Sequence, residues 1–297
     1  MKIFDCFMFY DEELLLDIRL NILDKFVDFF IIVESEYFHN GKRRELKFDI
    51  NKFKKFKNKI IYIVHKSEPS GVIKIENKDD NNSKSDKLII NAHLRENDQR
   101  NHIEKGLEKA EDDDLILISD VDEIPNLNLI DISKIKNQII IFEQEIFYYK
   151  FNRYLPHFKW FGTKACKKKQ LINPQWLRNI KNKKFPFWRL DTIFSKTKYI
   201  DKIFIQKGGW HFSNIKKAKD IELKLKSYLH HGDYEAEELG YDKINQLIKS
   251  NETIYDMFGD KKSKKYSDDT RKKLEKYDLK KLPQFIQDND KFNEWMD

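Results

Sequence analysis

Residues 112–126 read DDDLILISDVDEIPN, and the apolar run Leu115–Ile118 gives way almost at once to Asp120, Asp122 and Glu123. A run of this kind bounded by charge reads as a strand buried on both faces. Two carboxylates about 5 Å apart repel by about 0.8 kcal/mol in water and about 3 kcal/mol at an effective dielectric of 20, so a fold that gathers them must compensate them. Side chains alternate on an extended segment, which lets Asp120 and Asp122 point to one side while Val121 packs on the other. Pro125 then stops the strand. The spacing alone proves little, because 50 acidic residues among 297 give about eight acidic-x-acidic triplets at random. Position decides: at a strand end the pair suits a hard divalent cation, Mg²⁺ or Mn²⁺, which takes carboxylate oxygens and keeps positions open for phosphate oxygens. An acidic helix start is the competing structural reading.

Working outward, KIFDCFMF (2–9) reads as a first strand, and Leu14, Ile18 and Ile22, widened by Leu15 and Phe26, form the stripe of an amphipathic helix. FFIIVES (29–35) and IIYIVH (60–65) read as second and third strands, with turn chemistry at HNG (39–41). Residues 66–87 carry the signals of a long loop, and a helix over about 88–110 leads into the acidic-ended strand. This β-α-β-β-α-β order predicts an α/β fold with a mixed, mostly parallel sheet flanked by helices. Such sheets place ligands at the carboxyl ends of their strands, where the acidic cluster sits. Residues 138–152, 191–196 and 202–213 read as further strands and about 215–230 as a helix. The expected organisation is one domain over 1–231, in halves 1–125 and 126–231, followed by a helical C-terminal extension over 232–297.

The length suffices for such a domain with an appendage. No stretch approaches the roughly 18 apolar residues of a membrane span. The N-terminal MKIFDCFMFYDEE, interrupted by Asp5 and Asp11, reads as a core strand and not as a signal peptide. Cys6, on an expected strand, and Cys166, in a basic loop, offer neither a disulfide framework nor zinc-type spacing, so a cytoplasmic location is expected. The net charge of +7 comes from 57 basic and 50 acidic residues and reads mainly as a lysine-rich solvated surface. It permits peripheral contact with an anionic inner membrane face, and no nucleic-acid partner is expected.

Three separated blocks carry a resemblance: DCFMFYDEELLLDIRLNILDKFVDFFIIVES (5–35), ENDQRNHIEKGLEKAEDDDLILISDVDEIP (96–125) and GGWHFSNIKKAKDIELKLKSYLHH (208–231). In order and spacing they resemble glycosyltransferase family 17, the family of the bisecting β-1,4-N-acetylglucosaminyltransferase of animal N-glycans. The resemblance implies a GT-A fold, a UDP-sugar donor with UDP-GlcNAc as first choice, inversion at the anomeric carbon, and a β linkage to a hydroxyl of a glycan or lipid-linked glycan acceptor. Two features depart from the animal enzymes. The turn reads YFHNGKRR (37–44) instead of a Thr/Ser-containing form, and no N-terminal anchor precedes the first strand. A cytoplasmic enzyme of surface-polysaccharide or lipid-linked glycan synthesis is therefore expected.

Carried over by position, Asp120 and Asp122 correspond to the family's donor and metal motif, with Mn²⁺ or Mg²⁺ as the ion; His211 is a candidate third partner, to the metal or to the diphosphate, with a structural histidine as the competing reading. Glu34 ends the second strand, where GT-A enzymes receive the nucleoside; a carboxylate there can accept from ribose hydroxyls or a uracil N–H. Arg100 and Asn101 precede the acidic strand as a similar pair does in other GT-A enzymes. Arginine suits diphosphate recognition, and a helix-surface salt bridge to Glu96 or Glu104 competes with that reading. In GGWHFS, Gly208 and Gly209 allow close backbone approach and Trp210 offers a face to a sugar ring, while Lys224 and His230 point to phosphates or to solvent. An inverting transfer also needs a base near the acceptor hydroxyl. Glu143, Glu145 and Asp191, on expected acceptor-side strands, are the candidates, and burial among apolar neighbours would raise the pKa of Glu145. Two other functions compete: a metal-dependent phosphohydrolase or nucleotidyltransferase, which calls for a second acidic cluster, and a non-catalytic carbohydrate- or polyanion-binding protein on the same fold.

Overall fold

The structure, a computed structural model, describes every residue except 187, 199–200, 228–233, 235–237, 256–265 and 267–270. Its organising element is a mixed sheet of eleven strands. Strands β1 (Ile3–Phe9), β2 (Phe29–Ser35), β3 (Ile60–His65) and β4 (Leu115–Asp120) lie parallel in the order β3-β2-β1-β4. The register sets Asp120 beside Met8 and Glu34 beside Phe9, so the carboxyl ends of three strands form one edge. Helix α1 (Glu13–Leu23) and helix α2 (Asn81–Asn101) supply the crossovers, as the predicted order requires.

Alternation along β4 assigns its side chains to two layers. Leu115 and Leu117 join the core shared with Leu16 and Leu20 of α1, while Ile116 and Ile118 join a second core with Ile103, Leu107 and Leu177. All four are fully buried, which is why the run contains no polar position. The arrangement is α/β and GT-A-like, as the resemblance implies.

Beyond β4 come β5 (Glu123–Pro125), β6 (Ile139–Tyr148), β7 (Arg153–Tyr154), β8 (Trp160–Lys167), β9 (Lys202–Ile205), β10 (Gly209–Ser213) and β11 (Glu275–Lys276). Strand β8 was not expected. It runs antiparallel between β4 and β6 and joins the two halves of the sheet, and it carries Cys166, which is buried in a strand and not placed in a basic loop. Both cysteines are free. Residues 191–196 form no strand; Leu190–Ile193 is a single helical turn. The stretch 202–213 divides into β9 and β10 at the glycine pair. Gly209 has φ +140° and a Cβ there would meet the Ile124 carbonyl at 2.1 Å, so β10 can lie against β5 only with glycine at this position.

Helix α2 starts earlier than predicted, because the Asp80 side chain caps it by accepting from the Ser83 N–H at 2.8 Å. It passes into a 3-10 segment over His102–Lys109. The boundary expected at 231–232 lies outside the described residues. Beyond it, the chain is helical over Gly240–Ser250 and then returns to the sheet, where β11 pairs with β7. Tyr277, Leu282, Ile286 and Phe292 complete the core beside α1. No helix among the described residues is long and apolar enough to cross a membrane.

Candidate active site

The carboxyl edge of β1, β2 and β4 opens into a cleft of about 570 Å³, within the range of roughly 300–1,000 Å³ usual for small-molecule sites. Asp120, Asp122, His211 and Lys224 all line it. The acidic turn is compensated from three directions, which answers the electrostatic problem posed by the sequence.

From behind, the fully buried Arg19 of α1 donates to the carbonyls of Asp120 (3.1 Å) and Glu123 (2.7 Å) and to Ser119 Oγ (2.9 Å), and it is itself paired with the buried Asp5. From one side, helix α3 (Pro174–Asn179) delivers Arg178. Its guanidinium spans both Glu123 oxygens, at 2.7 and 2.6 Å, and reaches Asp120 Oδ2 at 2.8 Å. From α2, Arg100 reaches Asp120 Oδ1 at 3.1 Å and Glu96 at 2.8 Å. Burial opposes ionisation of Asp120, but Arg178 and then Arg100 outweigh it and hold the carboxyl well below its usual range. Glu123 also accepts from the Trp160 indole at 2.7 Å and from the Asp120 N–H at 2.8 Å. It is therefore the keystone of the turn and not a ligand. Gly162 makes room for this network, since a Cβ there would approach the Glu123 carboxyl carbon to 2.8 Å.

Asp122 has different partners. Its Oδ2 lies 3.5 Å from His211 Nε2 and 3.9 Å from Lys224 Nζ. Burial opposes its ionisation too, yet His211 and Lys224 bring its carboxyl below the ordinary value. For Lys224 burial disfavours charge, and Asp122 and Glu12 reverse that, so its pKa is raised. The His211 ring is tilted against Trp160 with centroids 4.6 Å apart. Its Nδ1 is buried with no hydrogen-bond partner among the described residues, an arrangement that costs about 1–3 kcal/mol unless a ligand completes it.

These distances test the expected ion. Two ligands in cis positions, each about 2.1 Å from an ion, lie about 3 Å apart, and Asp122 with His211 fits that spacing. Asp120 does not complete a trio, because its carboxylate is held by two arginines. Among the described residues, the metal-competent group with all ligand atoms within 4.8 Å of one another is His65, Asp98 and His102. There His65 bonds Asp98 at 2.7 Å and Ser35 at 3.1 Å, so its ring is already satisfied.

Other expected site residues fall elsewhere. Glu34 is fully buried and accepts from Arg44 (2.7 Å), the Lys47 N–H (2.7 Å), the Phe48 N–H (3.0 Å) and the Tyr62 hydroxyl (2.9 Å). With four donors its acceptor capacity is used; it positions Arg44, which does line the cleft. Arg100 stands behind Asp120, and Asn101 accepts from the Gln175 N–H at 3.0 Å, docking α3. Trp210 alternates with His211 on β10 and packs on the main core instead of facing the cleft. His230 lies outside the described residues.

None of the three base candidates lines the cleft. Glu143 pairs with Lys159 at 3.0 Å, Glu145 accepts from the Tyr277 hydroxyl, and Asp191 is bonded by Arg189 at 2.7 Å and Lys198 at 2.6 Å, which lower its carboxyl to about 2. Asp191→Asn is accordingly expected to leave turnover and the melting temperature unchanged. A progress curve and a melt check this, and a collapse of turnover would return Asp191 to the cleft.

Sequence reasoning missed Arg178, Arg44, Glu12 and Trp160, all cleft-lining. The signal for α3 was present: Asn173 caps it by accepting from the Trp176 N–H at 2.7 Å, with Pro174 in the first turn. No curated protein matches the chain. The model of glycosyltransferase family 17 matches residues 1–296, and this protein, with its acidic turn set at the mouth of the parallel strands, belongs to that family.

Proposed function

We propose that this glycosyltransferase moves a sugar, GlcNAc in the first instance, from a UDP donor to a hydroxyl of a glycan acceptor, with inversion and a β linkage. The observation that carries this reading is the Asp122–His211 pair, 3.5 Å apart beside the Lys224 ammonium, in a cleft at the carboxyl ends of the strands. Asp122 and His211 would hold Mn²⁺ or Mg²⁺, which supplies charge neutralisation for the leaving diphosphate.

Lys224, kept charged by Asp122 and Glu12, adds a second positive centre at the same place. Asp120, held ionised by its arginines, keeps acceptor capacity for donor hydroxyls. Tyr10 and Phe38, rings 5.5 Å apart, form an apolar wall with Arg44 4.3 Å above the Tyr10 ring, suited to a nucleoside. In the transfer, the acceptor oxygen bonds to the anomeric carbon and gives up its proton to a base or to solvent, while the bond from that carbon to the phosphate oxygen breaks and its electron pair leaves with the diphosphate. The phosphohydrolase reading finds no support in the cleft, because the remaining metal-competent group, His65, Asp98 and His102, lies off its lining.

Calorimetry with UDP tests the site. Affinity is expected to rise with Mn²⁺ and fall with chelator in the native chain, and to lose its Mn²⁺ dependence in His211→Ala, whose apo melting temperature stays near native. Equal UDP affinity with and without chelator in the native protein would refute the assignment of the ion. Mass spectrometry of products from a panel of UDP-sugars identifies the donor.

A further inference from the structure

The segment between α3 and β9, residues 181–198, reads KNKKFPFWRLDTIFSKTK, with six lysine or arginine residues against the single acid Asp191. Much of the chain's net +7 is thus concentrated in one short connection. Its base is closed. The Lys181 N–H donates to the Thr197 carbonyl at 2.9 Å, the Trp176 indole donates to the Lys196 carbonyl, and Lys202 donates to the carbonyls of Lys181 (2.8 Å) and Lys183. Its tip carries three large apolar residues in the open: Trp188 is 68% exposed, Leu190 71% and Phe194 88%. Water is a poor solvent for three such side chains on one short loop, and exposed apolar residues gathered in one segment mark an interaction site.

We propose that this loop is a membrane-docking element that inserts Trp188, Leu190 and Phe194 into the interface of an anionic bilayer. The charge pattern selects this occupant. Lys183 and Lys184 stand before the tip and Lys196 and Lys198 after it, so cations flank an aromatic and aliphatic point on both stems. That is the arrangement by which peripheral segments bury apolar residues at the headgroup boundary and pair lysines with anionic lipids. Within the loop Asp191 pairs with Lys198 and Arg189, and an apolar protein groove would supply no counter-charge to Lys183, Lys184 and Lys196. With no membrane-spanning helix among the described residues, the contact is peripheral.

The loop leaves α3 three residues after Arg178, which lines the cleft, so docking would hold the cleft beside the bilayer. A lipid-linked acceptor follows from that placement and rests on the transfer reading; the bilayer contact does not.

The test is flotation of the full chain with vesicles of phosphatidylcholine alone and of phosphatidylcholine with phosphatidylglycerol. Native protein is expected to float with the anionic vesicles only. The double variant Trp188→Ser/Phe194→Ser should lose this binding, and Lys183→Gln and Lys184→Gln should each weaken it about fivefold, the factor equivalent to about 1 kcal/mol per basic residue near the surface. All variants should keep native melting temperature and UDP affinity, which separates failure of docking from failure of the transfer reading. Native protein that stays unbound, or a Trp188→Ser/Phe194→Ser protein that floats like native, would overturn the proposal. So would sedimentation showing a self-associated native chain that dissociates in the double variant, since the tip would then cover a second copy.

Discussion

Arg178→Ala is expected to destabilise the protein by about 3–5 kcal/mol, the usual result of removing one partner from a buried ion pair, and to abolish turnover. Arg178 spans both oxygens of Glu123, whose side chain is 1% exposed, and also holds Asp120. Alanine would leave Glu123 with a charge facing only the Trp160 indole and a backbone N–H. The loss corresponds to a fall in Tm on the order of 10 °C for a chain of this size. Arg178→Lys should recover only part of it, because an ammonium is a point charge and cannot bridge two carboxylates. The double variant Arg178→Met/Glu123→Gln removes both charges and should regain stability without regaining turnover. Chemical denaturation of the three proteins decides the matter: a loss under about 1 kcal/mol in Arg178→Ala would show that the turn is held by other means.

That network marks where the sequence ceases to be readable. The run Leu115–Ile118 and the two aspartates after it are local facts, and their strand and its open end follow from periodicity. Glu123 carries the same local signature as Asp122, yet one is the buried keystone and the other faces the cleft. The difference is set by Arg178, 55 residues downstream, and no spacing rule connects them. Glu34 repeats the lesson: its position at a strand end was legible, but its four donors come from the turn that follows and from β3. Strand β8 was hidden because WFGTKACK (160–167) interrupts its apolar residues with Gly162, Thr163 and Lys164 and so shows no clean period of two. The lysine Lys164, which would argue against a core strand, spends its charge on the carbonyls of Arg178 and Ile180 at 2.7 and 2.6 Å. The stretch 191–196 reads as a strand and contains part of a helical turn, Leu190–Ile193, because so short a run does not distinguish strand from helix.

Asp122→Asn is expected to lower turnover by about 10²–10³, the scale set by removing one preorganised electrostatic partner from a reacting centre, while leaving the fold intact. The substitution keeps volume and shape, and the Asp122 carbonyl still accepts from the Phe212 N–H at 2.9 Å, so β10 stays in place. What disappears is a carboxylate whose folded pKa lies below its unfolded value, held there against burial by His211 and Lys224. The stability it contributes is fully present above the unfolded value of about 3.9 and is lost as pH falls through the lower folded value. The apo variant should therefore melt slightly below native protein at neutral pH, and the two should converge in acid. Lys224 would lose one of its two carboxylate partners, with Glu12 at 3.8 Å remaining, and Mn²⁺-dependent UDP binding should weaken in parallel with turnover. Loss of turnover with native Mn²⁺-dependent UDP affinity would move the role of Asp122 from the ion to the transferring sugar. A folded Asp122→Asn protein with full turnover would remove it from the site.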